Sequence, residues 1–153
     1  MRKLLLGAAV LFVLAACSSK GITPMSQLDT KIATVPELQH HDYQLVSVNG
    51  KAFEAGKNEA APTIAFSQDM RVTGTMCNNF FGQATLSNRG ILRAQGVGMT
   101  RMLCTDPLLN QLDGDIAQLL ENGAEAVVSA DGQFLRLSNT TTQLEFKLVD
   151  KVK

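Results

Sequence analysis

Tyr43-Gln44-Leu45-Val46-Ser47-Val48-Asn49-Gly50-Lys51-Ala52-Phe53 reads as two short β-strands joined at Asn49-Gly50. An Asn-Gly pair supplies the positive backbone angles of a two-residue hairpin turn, whose twist matches that of the flanking strands. In the first strand, alternation puts Tyr43, Leu45 and Ser47 on one face and Gln44, Val46 and Val48 on the other. Both faces are partly apolar, so the alternation leaves open which one is buried.

Working outward from this hairpin, further strand-like runs follow at short intervals. Thr63–Phe66 comes after Pro62, and Arg71–Met76 sets Val72, Gly74 and Met76 against polar neighbours. Phe81–Leu86 and Ile91–Ala94 flank a turn at Ser87-Asn88-Arg89-Gly90. Ala126–Ser129 and Phe134–Leu137 flank Ala130-Asp131-Gly132-Gln133, and Leu144–Val149 closes the series. Many short strands separated by turn residues predict a sandwich or barrel. The fold class expected is mostly β (α+β): a small antiparallel β-barrel or curved sheet with one amphipathic helix.

That helix lies between two groups of strands. Leu108, Leu109, Leu112, Ile116, Leu119 and Leu120 recur at helical spacing. Asp106 suits the N-cap, Pro107 the first helical position, and Asn122-Gly123 a left-handed C-terminal cap. The leucine stripe predicts a core face packed across a barrel mouth or sheet face.

At the N-terminus, Arg2 and Lys3 precede an apolar run from Leu4 to Val13, and Leu14-Ala15-Ala16-Cys17 ends it. This is a charged region, an apolar region and a small-residue cleavage site, in that order. The run is too short to span a bilayer, which takes about 20 residues. Leu-Ala-Ala-Cys resembles the lipobox of bacterial lipoproteins. The resemblance implies that 1–16 is a signal peptide, that Cys17 is lipidated and becomes the first mature residue, and that lipid is the link to the membrane. Ser18, where inner-membrane lipoproteins carry aspartate, implies the outer membrane, on its periplasmic face, for a Gram-negative source. Residues 17–38, with Ser18, Ser19, Gly21, Pro24 and Pro36, read as lipidated terminus and tether, with Ile32, Val35 and Leu38 able to dock on a domain spanning 39–153.

Removal of 1–16 leaves 137 residues, the length of one domain, with 12 basic against 14 acidic side chains. No basic block is present, which argues against nucleic acid as a partner. With Cys17 committed to lipid, Cys77 and Cys104 remain as an even pair in an oxidising compartment. A disulfide is favoured over two separate buried thiols or a reduced pair, and would be worth roughly 3 kcal/mol.

Two clusters stand out: Gly74-Thr75-Met76-Cys77-Asn78-Asn79-Phe80-Phe81-Gly82 and Met99-Thr100-Arg101-Met102-Leu103-Cys104. Together they resemble the META domain, in which a Cys-Asn-x-aromatic-x-Gly motif is followed by Thr-x-Met-x-Cys. The matching positions are Cys77, Asn78, Phe80 and Gly82, then Thr100, Met102 and Cys104. The chain departs from the family in having Tyr43-Gln44-Leu45 where many members have Trp-x-Leu, and Met76 where a glycine often precedes the first cysteine. The resemblance implies a small barrel with one helix, and a role in heat shock and novobiocin resistance.

The residues themselves carry little catalytic chemistry. Asn78 reads as a turn residue that satisfies backbone groups, in preference to a ligand amide. Arg101 is an anion-clamp candidate beside a helix N-terminus that Asp106 is expected to occupy. His40 and His41 point to opposite faces of a strand and make no ready metal site. Asp113 and Asp115, two positions apart on the helix, do not face each other. No hydrolase, zinc-protease, phosphate-loop or dinucleotide motif occurs. The expectation is a monomeric, non-catalytic protein without cofactor or metal, partnered by the membrane through its lipid and by an envelope protein. The alternative is a barrel that holds a small apolar ligand, lined by Met70, Met76, Met99 and Met102.

Overall fold

A computed structural model describes residues 23–56 and 59–150. Residues 1–16, expected to be a signal peptide, and Cys17 and Ser18 lie outside the described residues. The elements are a 3-10 turn (Met25–Gln27), β1 (Thr30–Ile32), α1 (Val35–Leu38), β2 (His41–Val48), β3 (Lys51–Ala52), β4 (Thr63–Phe66), β5 (Arg71–Thr75), β6 (Asn79–Leu86), β7 (Ile91–Met99), α2 (Pro107–Asn122), β8 (Ala124–Ser129), β9 (Phe134–Ser138) and β10 (Gln143–Leu148). Eight strands close into an antiparallel barrel in the order β8-β7-β6-β5-β4-β2-β10-β9 and back to β8. Closure removes the free edges that an open sheet of short strands would expose. Among the described residues β3 pairs only with β2, and β1 only with β8.

The β2–β3 hairpin forms at Asn49 (φ 50°) and Gly50 (φ 81°). The face of β2 that alternation could not assign is decided by a bulge. Glu145 of β10 stands opposite Ser47, but Phe146 stands opposite Leu45, so Val46 is an extra residue on β2. The bulge reverses the alternation. Tyr43 and Leu45 point into the barrel before it, and Val48 does so after it, leaving Ser47 on the outer wall beside Glu145.

The interior is filled by Tyr43, Leu45, Ile64, Phe66, Val72, Phe80, Leu92, Leu135, Leu137, Leu144 and Phe146, none more than 2 % exposed. Each such side chain contributes about 1.5–3 kcal/mol relative to exposure. Buried Tyr43 donates its hydroxyl to the carbonyl of Glu37 at 3.0 Å. Burial pushes its phenol well above the ordinary value, with Asp150 and Glu37 adding to the shift.

β7 pairs with β8 only through Ile91 and Leu92. From Arg93 onward the two strands diverge, and α2 packs against β7 there. Leu109, Leu112, Ile116, Leu119 and Leu120 face the core from α2, whereas Leu108, expected on the same stripe, is 36 % exposed. Leu108 sits in the first turn, one position off the buried face. Asp106 caps the helix, accepting from the Leu108 amide at 2.8 Å, and Arg93 donates to the Asn122 carbonyl at 2.8 Å at the other end. Gly123 (φ 97°) ends the helix with extended ψ (133°) in place of the left-handed cap expected there.

The second half of the expected tether is part of the body. Met25, Ala33 and Leu38 are buried, and Thr30–Ile32 adds β1 to β8. Leu38 docks as the sequence allowed, whereas Ile32 stays 53 % exposed. Three residues made too short a run to read as a strand, and β1 exists because β8 offers an edge where β7 has left it. The Glu37 carboxylate accepts from the Thr34 amide and hydroxyl at 2.9 and 2.8 Å and pairs with Lys31 at 2.5 Å. Partial burial raises this carboxyl, but Lys31 and Thr34 outweigh it and hold the group below its ordinary value.

Candidate functional site

The β5–β6 turn and the loop leading from β7 to α2 come together at one end of the barrel. Two local devices bring them there. Gly74 faces Phe80 across the β5–β6 ladder, where a β-carbon would lie 2.2 Å from the Thr63 carbonyl oxygen and 2.4 Å from the Phe80 ring. Only glycine lets β4, β5 and this ring approach so closely. On β7, the pairing steps from Gln83–Gln95 to Phe81–Gly98, a bulge with Gly96 at φ 61°. The bulge turns the end of β7 toward the helix start.

Cys77 and Cys104 form a disulfide with their α-carbons 5.8 Å apart. It joins the two clusters that the sequence singled out, one cysteine from each. Beside it Asn78, 4 % exposed, uses both ends of its amide. Its Oδ1 accepts from the Met102 amide at 2.6 Å and the Thr100 hydroxyl at 3.0 Å. Its Nδ2 donates to the Met102 carbonyl at 2.9 Å and to Asp113 Oδ2 at 2.7 Å. Asp113 Oδ1 in turn accepts the backbone amides of Cys77 and Asn78 at 3.0 and 2.9 Å. One carboxylate on α2 thus receives three N–H groups from the turn, a charge-assisted arrangement.

Asp113 is the residue that sequence reasoning missed. No spacing rule connects it to a turn 35 residues earlier in the chain. Its separation from Asp115 did hold, since Asp115 is engaged by Gln111 at 3.3 Å. Around the network, Thr100 accepts the Asn79 amide at 3.0 Å, and Asn110 clamps Cys104 through both backbone groups at 2.9 and 2.8 Å. Phe80 is buried under Gly74, and Gly82 is buried on β6 opposite Val72.

Held this way, the loop presents Arg101, Met102 (65 % exposed) and Leu103 (91 % exposed) to solvent. They border a cleft of about 590 Å³ whose walls include Val97, Met99, Asp113, Ala117 and Glu121. Of the four methionines offered as a common ligand lining, Met99 and Met102 border this cleft and Met70 and Met76 do not. Met70 and Met76 are buried, Met99 is half-buried at the cleft, and Met102 points outward. His41 engages Asp150 at 2.5 Å, and Asp150 also accepts the Asp42 amide at 2.7 Å, tying the end of the described chain to β2. His40 sits outside the strand at φ 65°. Among the described residues no group of three or more His, Cys, Asp or Glu side chains is placed to hold a metal, and no helix is long and apolar enough to cross a membrane.

The chain is 40 % identical over 151 residues to heat shock protein HslJ of Escherichia coli (strain K12), covering 98 % of each protein. One NMR structure 42 % identical in sequence superimposes with a TM-score of 0.68, covering 76 % of this chain and 95 % of the other. A second, from Burkholderia xenovorans, shares the fold at a TM-score of 0.62 and 20 % identity, over 91 % of this chain and all of the other. The META domain model matches residues 36–151, the span that holds both halves of the Asn78 network and its disulfide. The chain belongs to the META domain family.

Proposed function

We propose that this is a lipid-anchored protein on the periplasmic face of the outer membrane, a non-catalytic factor in tolerance of heat and novobiocin that acts by binding an envelope protein through its Arg101–Cys104 loop. The observation that carries this reading is the contrast within that loop. Its backbone is held by a disulfide, by Asn78 and by Asn110, while Met102 and Leu103 are left in water. Adjacent exposed apolar side chains on a rigid loop are a recognition feature, because the ordering cost of binding is met in advance. The anchor rests on Leu14–Cys17 and accords with an oxidised cysteine pair. The relative's name, heat shock protein, supports the stress role. The barrel interior is occupied by side chains, which disfavours a ligand held inside it.

A photo-crosslinking side chain placed at Leu103 in the full lipidated protein, in heat-stressed cells, tests the reading. A discrete adduct with one envelope protein from position 103, and none from exposed Arg89, is expected. Equal adducts from both positions, or none from either, would overturn it. Cys17→Ser is expected to release the protein from the membrane fraction, and continued retention would refute the anchor.

A further inference from the structure

A second cavity of about 590 Å³ lies on the outer wall of the barrel and shares no lining residue with the cleft beside Asn78. It opens between the β2–β3 hairpin, the start of β10 and the segment Thr23–Ser26. Val46, Phe53, Phe134 and Pro24 give it apolar walls, and its floor is Ser47, turned outward by the bulge at Val46, beside Glu145, which faces outward by the alternation of β10 between buried Leu144 and Phe146.

Glu145 is 4 % exposed. Among the described residues its one side-chain hydrogen bond comes from Gln143 Nε2, at 3.2 Å to Oε1. Oε2 has no partner there, yet it is not sealed from solvent, since among the described residues no fully enclosed side-chain oxygen lacks a hydrogen bond. Glu145 itself lines the cavity, which is the opening its free oxygen has. Arg136 stands opposite Glu145 in the β9–β10 register but makes no ion pair with it, and Lys147, two positions on, is exposed. The described lining contains a second carboxylate, Glu54 at the rim, and no Lys, Arg or His. A carboxylate this far buried, with one neutral hydrogen-bond partner among the described residues and an apolar-walled recess beside it, is an incomplete ion pair.

We propose that this cavity is a binding site for a small organic cation, a protonated amine on an aromatic or branched aliphatic body. The ammonium would donate to Glu145 Oε2 and the body would lie against Val46, Phe53 and Phe134. A volume of this size suits a small molecule.

Benzylamine and its neutral analogue benzyl alcohol are the probes, titrated at neutral pH into the full 15N-labelled chain in detergent micelles and followed by amide chemical shifts. Benzylamine is expected to shift Val46, Ser47, Phe134 and Gln143, and to bind about tenfold more tightly than benzyl alcohol, the scale of one charge-assisted hydrogen bond. Glu145→Gln is expected to abolish that preference. Intermolecular NOEs from benzylamine to Val46 and Phe134 locate the site in the unmodified chain, whatever the variant's stability. Equal affinity for the two probes, shifts confined to other surfaces, or a preference that survives Glu145→Gln would each overturn the proposal.

Discussion

Replacing Asp113 with asparagine is the sharpest perturbation of the network that joins the two family motifs. The change keeps size and shape but converts one carboxylate oxygen to a donor. With the amide oxygen kept at the Oδ1 position, the cysteine and asparagine backbone amides retain an acceptor, now neutral. The new NH2 then meets Asn78 Nδ2, which donates at 2.7 Å in the wild type, so donor faces donor. Asn78 cannot resolve this by rotating its amide, because its Oδ1 already accepts from the Met102 amide and the Thr100 hydroxyl. A hydrogen bond to a charged group contributes about 1.5–3 kcal/mol, and a buried donor left unpaired costs about 1–3 kcal/mol. Asp113 is only half-buried, which keeps the expectation near the lower end, at about 2–3 kcal/mol. Thermal unfolding followed by far-UV circular dichroism should show a fall in Tm of roughly 10 °C. A double-mutant cycle with Asn78→Ala should give a coupling above about 1 kcal/mol. Asp113→Asn within about 0.5 kcal/mol of wild type, a difference ordinary for surface substitutions, would refute the reasoning.

Two other outcomes follow from the same structure. Reduction of the Cys77–Cys104 bridge, which closes a 27-residue separation, should cost about 3–4 kcal/mol and lower the urea midpoint; an unchanged midpoint with reductant would count against it. Glu37 is held below its ordinary value of 4.5, so its ionised form adds stability that is present above that pH and is lost as acid carries it through the lower folded value. Glu37→Gln should therefore flatten the acid limb of the stability profile below about pH 4.5, at less than about 1 kcal/mol cost at neutrality; an unaltered acid limb would show that the Lys31–Glu37–Thr34 cluster does not contribute.

Elements that supply their own physics are legible in the sequence. Asn49-Gly50 forms the expected hairpin because two positive φ values are a property of those residues alone. Thr63–Phe66 is a strand and Pro107–Asn122 a helix, each marked by its own period and flanking residues. Elements whose existence depends on a neighbour were missed. Thr30–Ile32 is a strand only because β8 offers it an edge, and β7 runs on to Met99 through two glycines whose composition argues against a strand. At the candidate site, the two cysteines and Asn78 were legible as a pattern. The carboxylate that completes the network was not, since Asp113 meets Asn78 only through the packing of α2.

Residue type and spacing alone account for the composition of the fold: short strands, one capped amphipathic helix, a paired set of cysteines and the two motifs of the META domain. These are consequences of residue type and spacing, and they act over a few positions. Tertiary structure alone decided which face of β2 is buried, through an extra residue at Val46 that no periodicity reveals. It also decided that a helical aspartate is the acceptor for a distant turn and that Glu145 lies on the floor of an outer-wall cavity. Burial and hydrogen-bond partnership depend on what the rest of the chain brings alongside, and that is settled only when the barrel closes.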